Sequence, residues 1–238
     1  MDILYKTRFL QNLLISYNEL HTAEIENKTI SSNFYNLEYG NEFEKYIKRI
    51  SQRWWLLKDY LFSLDKIGTV FTRNFPVTDF EEMEWWQYNY ENFVLRLSAT
   101  LDQISKLTNE VYSFGLKEKD ANWSSVRDKV KAQNSHCAEC IGNLQKYLEP
   151  YIVERHIVAH CGGLASTDIK QIDNYYFDKI EIHFFGKDWY EEKELKRKEE
   201  LIKLNKKLSL IVLETKVKLA DILMSMEVDF EKSYLNLK

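Results

Sequence analysis

Apolar residues recur along most of this chain at steps of three and four, and short polar breaks separate the periodic stretches. That period puts one face of an α-helix against a core. The first stretch runs from about Ile3 to about Ile25, with Phe9, Leu10, Leu13, Leu14, Tyr17 and Leu20 on its apolar face. A polar loop, Thr29 to Asn36, follows. The second runs from about Asn41 to Ile67 and carries Phe43, Ile47, Ile50, Trp54, Leu57, Leu61 and Leu64. The turn from Gly68 through Pro76 ends it.

A third helix is predicted to open at Thr78-Asp79-Phe80-Glu81. This is a capping box, in which the Thr and Glu side chains satisfy free backbone N–H groups. The helix continues to about Phe114, with Phe93, Val94, Leu97, Leu101, Ile104, Leu107 and Val111 on one face and Trp85 and Trp86 in its first turns. A fourth starts near Ser124 and carries Val126, Val130, Cys137, Ile141, Leu144 and Leu148. Pro150 is expected to kink it or to start a new helix over Tyr151 to His160. A loop spans Gly162 to about Asp188, where Lys179 to Phe185 alternates weakly, as a short strand would. The last helix is expected over about residues 190–231. Leu201, Leu204, Leu208, Ile211, Val212, Leu219, Leu223, Met226 and Phe230 mark its buried stripe.

Glycine punctuates this pattern. Gly40, Gly68, Gly115, Gly162-Gly163 and Gly186 fall at the edges of periodic segments, and Gly142 alone lies inside one. Glycine at such edges supplies the left-handed residue that ends a helix. The expected fold is all-α: an up-and-down bundle of five to six helices, in a single domain over residues 1–238.

Composition narrows the class. Gly at 7 and Pro at 2 leave few breakers among 238 residues, and an aromatic content of 14% implies a core or interface built from large rings. The formal net charge of −4 argues against a surface coated to grip long nucleic acid. It leaves room for a local cleft that takes a short phosphate-bearing ligand. The N-terminus lacks a signal-peptide layout, and the apolar runs fall short of the roughly 18 residues a membrane helix needs. Three Cys do not make a disulfide framework. The expectation is a cytoplasmic, reduced protein without a membrane partner.

Candidate chemistry concentrates in the segment 151–163. Arg155 and His160 stand five positions apart, with His156 directly after the Arg and Gly162-Gly163 beyond. Arg can hold a phosphate bidentately, and His can move protons near neutral pH. On an ideal helix Arg155 and His160 lie about 140° apart, so they converge on one ligand only if the helix end distorts or Arg155 reaches round. The alternative is a plain helix C-terminus, with His near the free carbonyls and Arg155 in a surface ion pair.

Three other features have structural readings. Cys137 and Cys140, followed by His156 and His160, have the residue types of a zinc site, but Cys137 continues an apolar stripe and fits a small buried thiol. Trp54-Trp55, Trp85-Trp86, Tyr88 and Tyr90 could stack bases, although their helical spacing fits core packing. The run Lys193 to Lys207 interleaves basic residues with Glu, as on a solvated helix face.

Arg155-His156-Ile157-Val158-Ala159-His160 resembles the signature of the HEPN superfamily, the higher eukaryotes and prokaryotes nucleotide-binding domains. That signature is Arg, a polar residue that is often Asn, Asp or His, three more residues, then His. His156 fills the polar slot. The stretch Leu95 to Asp102 is similar to the long earlier HEPN helix, and the nearest resemblance is to a branch of uncharacterised bacterial HEPN-like proteins. The resemblance implies an α-helical bundle and a homodimer whose two signatures meet to form a metal-independent endoribonuclease site. It implies no cofactor and no metal. Arg155 would hold the scissile phosphate, His160 would assist proton transfer, and His156 would orient these groups or contact phosphate. Two other readings stand open. One is a non-catalytic helical dimerisation or interaction protein with a degenerate HEPN fold. The other is a metal site at Cys137, Cys140, His156 and His160.

Overall fold

The structure is a computed structural model that describes residues 2–26, 37, 39–68, 79–161, 169–170, 172 and 182–238; within these, the side chains at 2, 23–26, 68, 79–83, 159–161 and 182–183 are not described. Among the described residues the secondary structure is helical throughout. The helices are α1 (Asp2–Tyr5), α2 (Arg8–Glu26), α3 (Glu42–Gly68), α4 (Asp79–Val111), α5 (Trp123–Lys131), α6 (Ser135–Cys161), α7 (Ile182–Phe185) and α8 (Lys187–Leu237). Six of them have nine residues or more, as the periodicity predicts for an all-α fold. No helix of the described residues is long and apolar enough to cross a membrane.

The predicted stripes are the core. All nine stripe residues of α8 are buried, as are all seven of α4 from Phe93 to Val111, and Ile47, Ile50, Trp54, Leu57, Leu61 and Leu64 of α3 have no exposed surface. Each such side chain contributes about 1.5–3 kcal/mol by leaving water. Buried hydroxyls between these positions bond back to their own helix. Ser105 Oγ donates to the Leu101 carbonyl at 2.8 Å and Thr108 Oγ1 to the Ile104 carbonyl at 2.8 Å.

Residues cluster into two compact units. Unit 1 is Met1–Leu61, Ala99–Tyr147 and Glu214–Lys238; unit 2 is Phe62–Ser98 and Leu148–Leu213. In unit 1 the Phe230 ring lies 4.9 Å from that of Phe9 and stacks on Tyr46 at 6.1 Å, and Tyr5 meets Trp54 edge-on at 6.0 Å. In unit 2 the buried residues include Leu64, Trp86, Tyr90, Phe93, Leu148 and Leu204, joined by Ile169 and Ile172 from the segment read as a loop.

Helix boundaries differ from the sequence expectation where a polar side chain takes over a backbone bond. The first predicted helix breaks after Tyr5, because Thr7 Oγ1 and Thr7 N both donate to the Leu4 carbonyl, at 2.7 and 3.0 Å. The fourth breaks at residues 132–134 and not at Pro150, which α6 contains. There Asn134 Oδ1 accepts the Cys137 N–H at 2.9 Å and caps α6. Pro150 removes one helical hydrogen bond, and the helix continues through it. The strand expected over 179–185 is not formed where the structure describes it: 182–185 is helical, and 179–181 lies outside the described residues. Phe184 and Phe185 are exposed, and Phe185 stacks on Trp189 at 4.6 Å across Gly186, whose φ of +86° suits glycine. The capping box at Thr78 to Glu81 lies outside the described residues. A reciprocal one forms at α3 instead: Asn41 N donates to Glu44 Oε2 and Glu44 N to Asn41 Oδ1, each at 2.9 Å.

Asn134 ties unit 1 together. Its Nδ2 donates to Ser225 O at 2.8 Å, Asp229 Oδ2 at 2.8 Å and Tyr112 Oη at 3.1 Å, while Tyr112 Oη donates to Asp229 Oδ2 at 2.7 Å. Asn134→Ala removes the cap and these bonds together. It is expected to destabilise the fold by about 3 kcal/mol in urea unfolding; a loss below about 1 kcal/mol would show that the hub carries little.

The same region predicts a pH response. Burial pushes the Cys137 thiol up from 9.0 to about 11, and burial also raises the Tyr46 and Tyr112 phenols above their ordinary range. Each group keeps its proton in the folded state at a pH where the unfolded chain has lost it. The stabilisation is therefore complete below about pH 9 and is lost as pH rises from there through about 11. Melting temperature is expected to fall between pH 9 and pH 11, and less steeply in Cys137→Ala. A flat profile across that range would contradict these buried ionisations.

Candidate functional site

The signature segment occupies the last turns of α6, within unit 2. Arg155 and His156 are both exposed there, and Val153, two residues earlier, is 59% exposed. His160 lies in the final turn of the same helix; its side chain and the Gly162-Gly163 pair lie outside the described residues. The structure therefore places Arg155 and His156 side by side on an accessible helix end.

Beneath that surface, unit 2 holds the segment through large rings. Trp86 and Tyr90 are successive turns of α4 and are 1% and 3% exposed. The Tyr90 hydroxyl donates to Glu154 Oε2 at 3.3 Å, which fixes the residue directly before Arg155. The guanidinium of Arg197, from α8, sits over the Trp86 ring at 5.6 Å. Trp86 and Tyr90 are thus packing elements, as their helical spacing predicts. Tyr88 is 64% exposed, and Trp54 belongs to the core of unit 1. The Tyr90–Glu154 contact was not readable from sequence, since its partners stand 64 residues apart.

Cys137 and Cys140 belong to unit 1. Cys137 is fully buried in the stripe of α6, and Cys140 is 7% exposed, with His136 Nε2 3.9 Å from its sulfur. Burial raises both thiols. Among the described residues no group of three or more His, Cys, Asp or Glu could hold a metal. The mixed run Lys193 to Lys207 forms a solvated face, with Lys196–Glu192 at 2.6 Å and Lys203–Glu200 at 2.7 Å.

A thiol reagent tests the burial. At pH 8, Cys137 is expected to react at least about a hundredfold more slowly in the native protein than after unfolding. Rapid labelling of Cys137, located by peptide mapping, would show that the site opens.

The model of the HEPN_Cthe2314-like HEPN family matches residues 29–232. No curated protein and no solved structure matches the chain.

Proposed function

The chain belongs to the HEPN_Cthe2314-like HEPN family, and from that premise we propose that it is a metal-independent endoribonuclease acting as a homodimer through Arg155, His156 and His160. The observation that carries this reading is the position of the signature on an exposed helix end, with Arg155 and His156 both at the surface of a HEPN chain. Arg155 supplies a fixed positive fork for the scissile phosphate and for the charge that grows on it. His160 takes the 2′-OH proton as that oxygen attacks phosphorus. The P–O5′ bond breaks, the His160 imidazolium returns its proton to the leaving oxygen, and a 2′,3′-cyclic phosphate and a 5′-hydroxyl remain. His156 orients the phosphate.

Helical geometry favours two copies. On an ideal helix positions 155 and 160 lie about 140° apart, so Arg155 of one protomer and His160 of the other reach a common phosphate with less distortion. The exposed Val153 beside the signature gives such a contact some apolar surface. A strand without 2′-hydroxyls lacks the nucleophile, so DNA is inert.

Purified protein is expected to cut single-stranded or structured RNA in EDTA, and Arg155→Ala and His160→Ala are each expected to lower the rate by at least about a hundredfold without unfolding the chain. Equal residual cleavage by the wild type and both variants would sink the proposal.

A second reading rests on the exposed apolar residues of α8 in unit 2. Leu195, Ile202, Leu210 and Leu213 are 47–65% exposed and share one helix face. A non-catalytic helical interaction protein would use that face, and its RNA would survive in the same assay.

A further inference from the structure

Cys137 and Cys140 stand in the first turns of α6, within unit 1, and the ribonuclease reaction uses neither. At a spacing of three, two side chains share one face of a helix, with Cβ atoms about 5–6 Å apart. Both sulfurs come within hydrogen-bond reach of one hydroxyl, Ser225 Oγ of α8. That hydroxyl donates to the Ile222 carbonyl at 2.6 Å, so it meets the thiols as an acceptor. Two thiols gathered on one acceptor are poised to react with each other.

The two sulfurs differ in access. Cys137 has no exposed surface, whereas Cys140 reaches the surface beside an exposed His136, whose Nε2 lies 3.9 Å from the Cys140 sulfur. Burial pushes the Cys140 thiol up, the carboxylates of Asp221 and Glu139 add to this, and Ser225 opposes it. The thiol therefore needs a base, and an imidazole takes protons near neutral pH. The opening is narrow, since Cys140 is only 7% exposed. A bulky anionic oxidant would meet a nearly closed surface and two carboxylates. Hydrogen peroxide is small and uncharged, and it suits this entrance.

We propose that Cys137 and Cys140 are a peroxide-sensitive pair that closes to a disulfide, with His136 as the base at Cys140. His136 takes the Cys140 proton, and the thiolate attacks one peroxide oxygen. The O–O bond breaks, and the departing hydroxide takes the proton from the imidazolium and leaves as water. Cys140 is then a sulfenic acid. The Cys137 sulfur attacks the Cys140 sulfur, the S–O bond breaks, and the departing hydroxide leaves with the Cys137 proton. Two thiols and one peroxide become one disulfide and two waters. A disulfide holds its Cβ atoms about 4 Å apart, so the first turn of α6 must tighten. Asn134 Oδ1 caps that turn through the Cys137 N–H, and closure of the bridge disturbs this bond.

Hydrogen peroxide added to the native full chain tests this. Glu139 lies between the two cysteines, so once free thiols are blocked, cleavage after Glu139 leaves the two halves joined only by the bridge. The wild type is expected to give joined halves, and exchange of the Cys137 amide hydrogen, followed by NMR, is expected to rise about tenfold or more on oxidation. Cys137→Ala cannot close the bridge. Its Cys140 is expected to persist as the sulfenic acid, with capture by dimedone about tenfold or more above the wild type. His136→Gln is expected to slow bridge formation about fivefold or more. Circular dichroism confirms the fold of both variants. The wild type alone overturns the proposal if the native chain gives no joined halves, or if the Cys137 amide exchanges as before. Dimedone capture at Cys140 as strong in the wild type as in Cys137→Ala, or an unchanged rate in His136→Gln, also overturns it.

Discussion

Unit 1 depends on the side-chain amide of Asn134. Its oxygen caps α6, and its two N–H hydrogens are shared among a phenol, a carboxylate and a backbone carbonyl. The acceptors come from the chain just past α4 and from α8, so one amide joins the start of one helix to two other segments. No other side chain of this size both accepts at a helix N-terminus and donates in two directions. An aspartate there would cap but could not donate, and it would face Asp229. Burial makes the arrangement demanding, because any group left without its partner keeps the full cost of leaving water.

Around the signature, packing is dominated by rings instead. Trp86 and Tyr90 are buried in unit 2, and Tyr90 reaches the surface chemistry only through Glu154. Arg155 and His156 can therefore stay at the surface while the residue before them is held from below. An exposed Arg loses rotamer freedom on binding phosphate. A neighbour anchored to a buried phenol limits how far the backbone beneath it can move. The family match covers this whole arrangement, since it runs from residue 29 to residue 232.

The helices were legible because their apolar positions repeat at the helical period over many turns, and burial of that stripe dominates helix stability in a protein. Every stripe residue expected of α4 and α8 is buried. Breaks were less legible, because their causes lie elsewhere in the fold. In Ala132-Gln133-Asn134 the local cue is Asn134, a favoured helix cap, and its further partners Ser225 and Asp229 lie far along the chain. At Pro150 no new helix starts: α6 runs through it from Ser135 to Cys161. In the candidate site, Arg155 and His156 were legible as a spaced motif, while the Tyr90 contact was not, since pairing at long range leaves no periodic trace.

The amide at the start of α6 also bears on the order of folding. Its partners Tyr112, Ser225 and Asp229 lie 22, 91 and 95 residues away along the chain. Contacts at such separation are gained only after a long loop has closed. The boundary of α6 is therefore completed by a helix at the far end of the sequence, and it cannot be finished before that helix has docked.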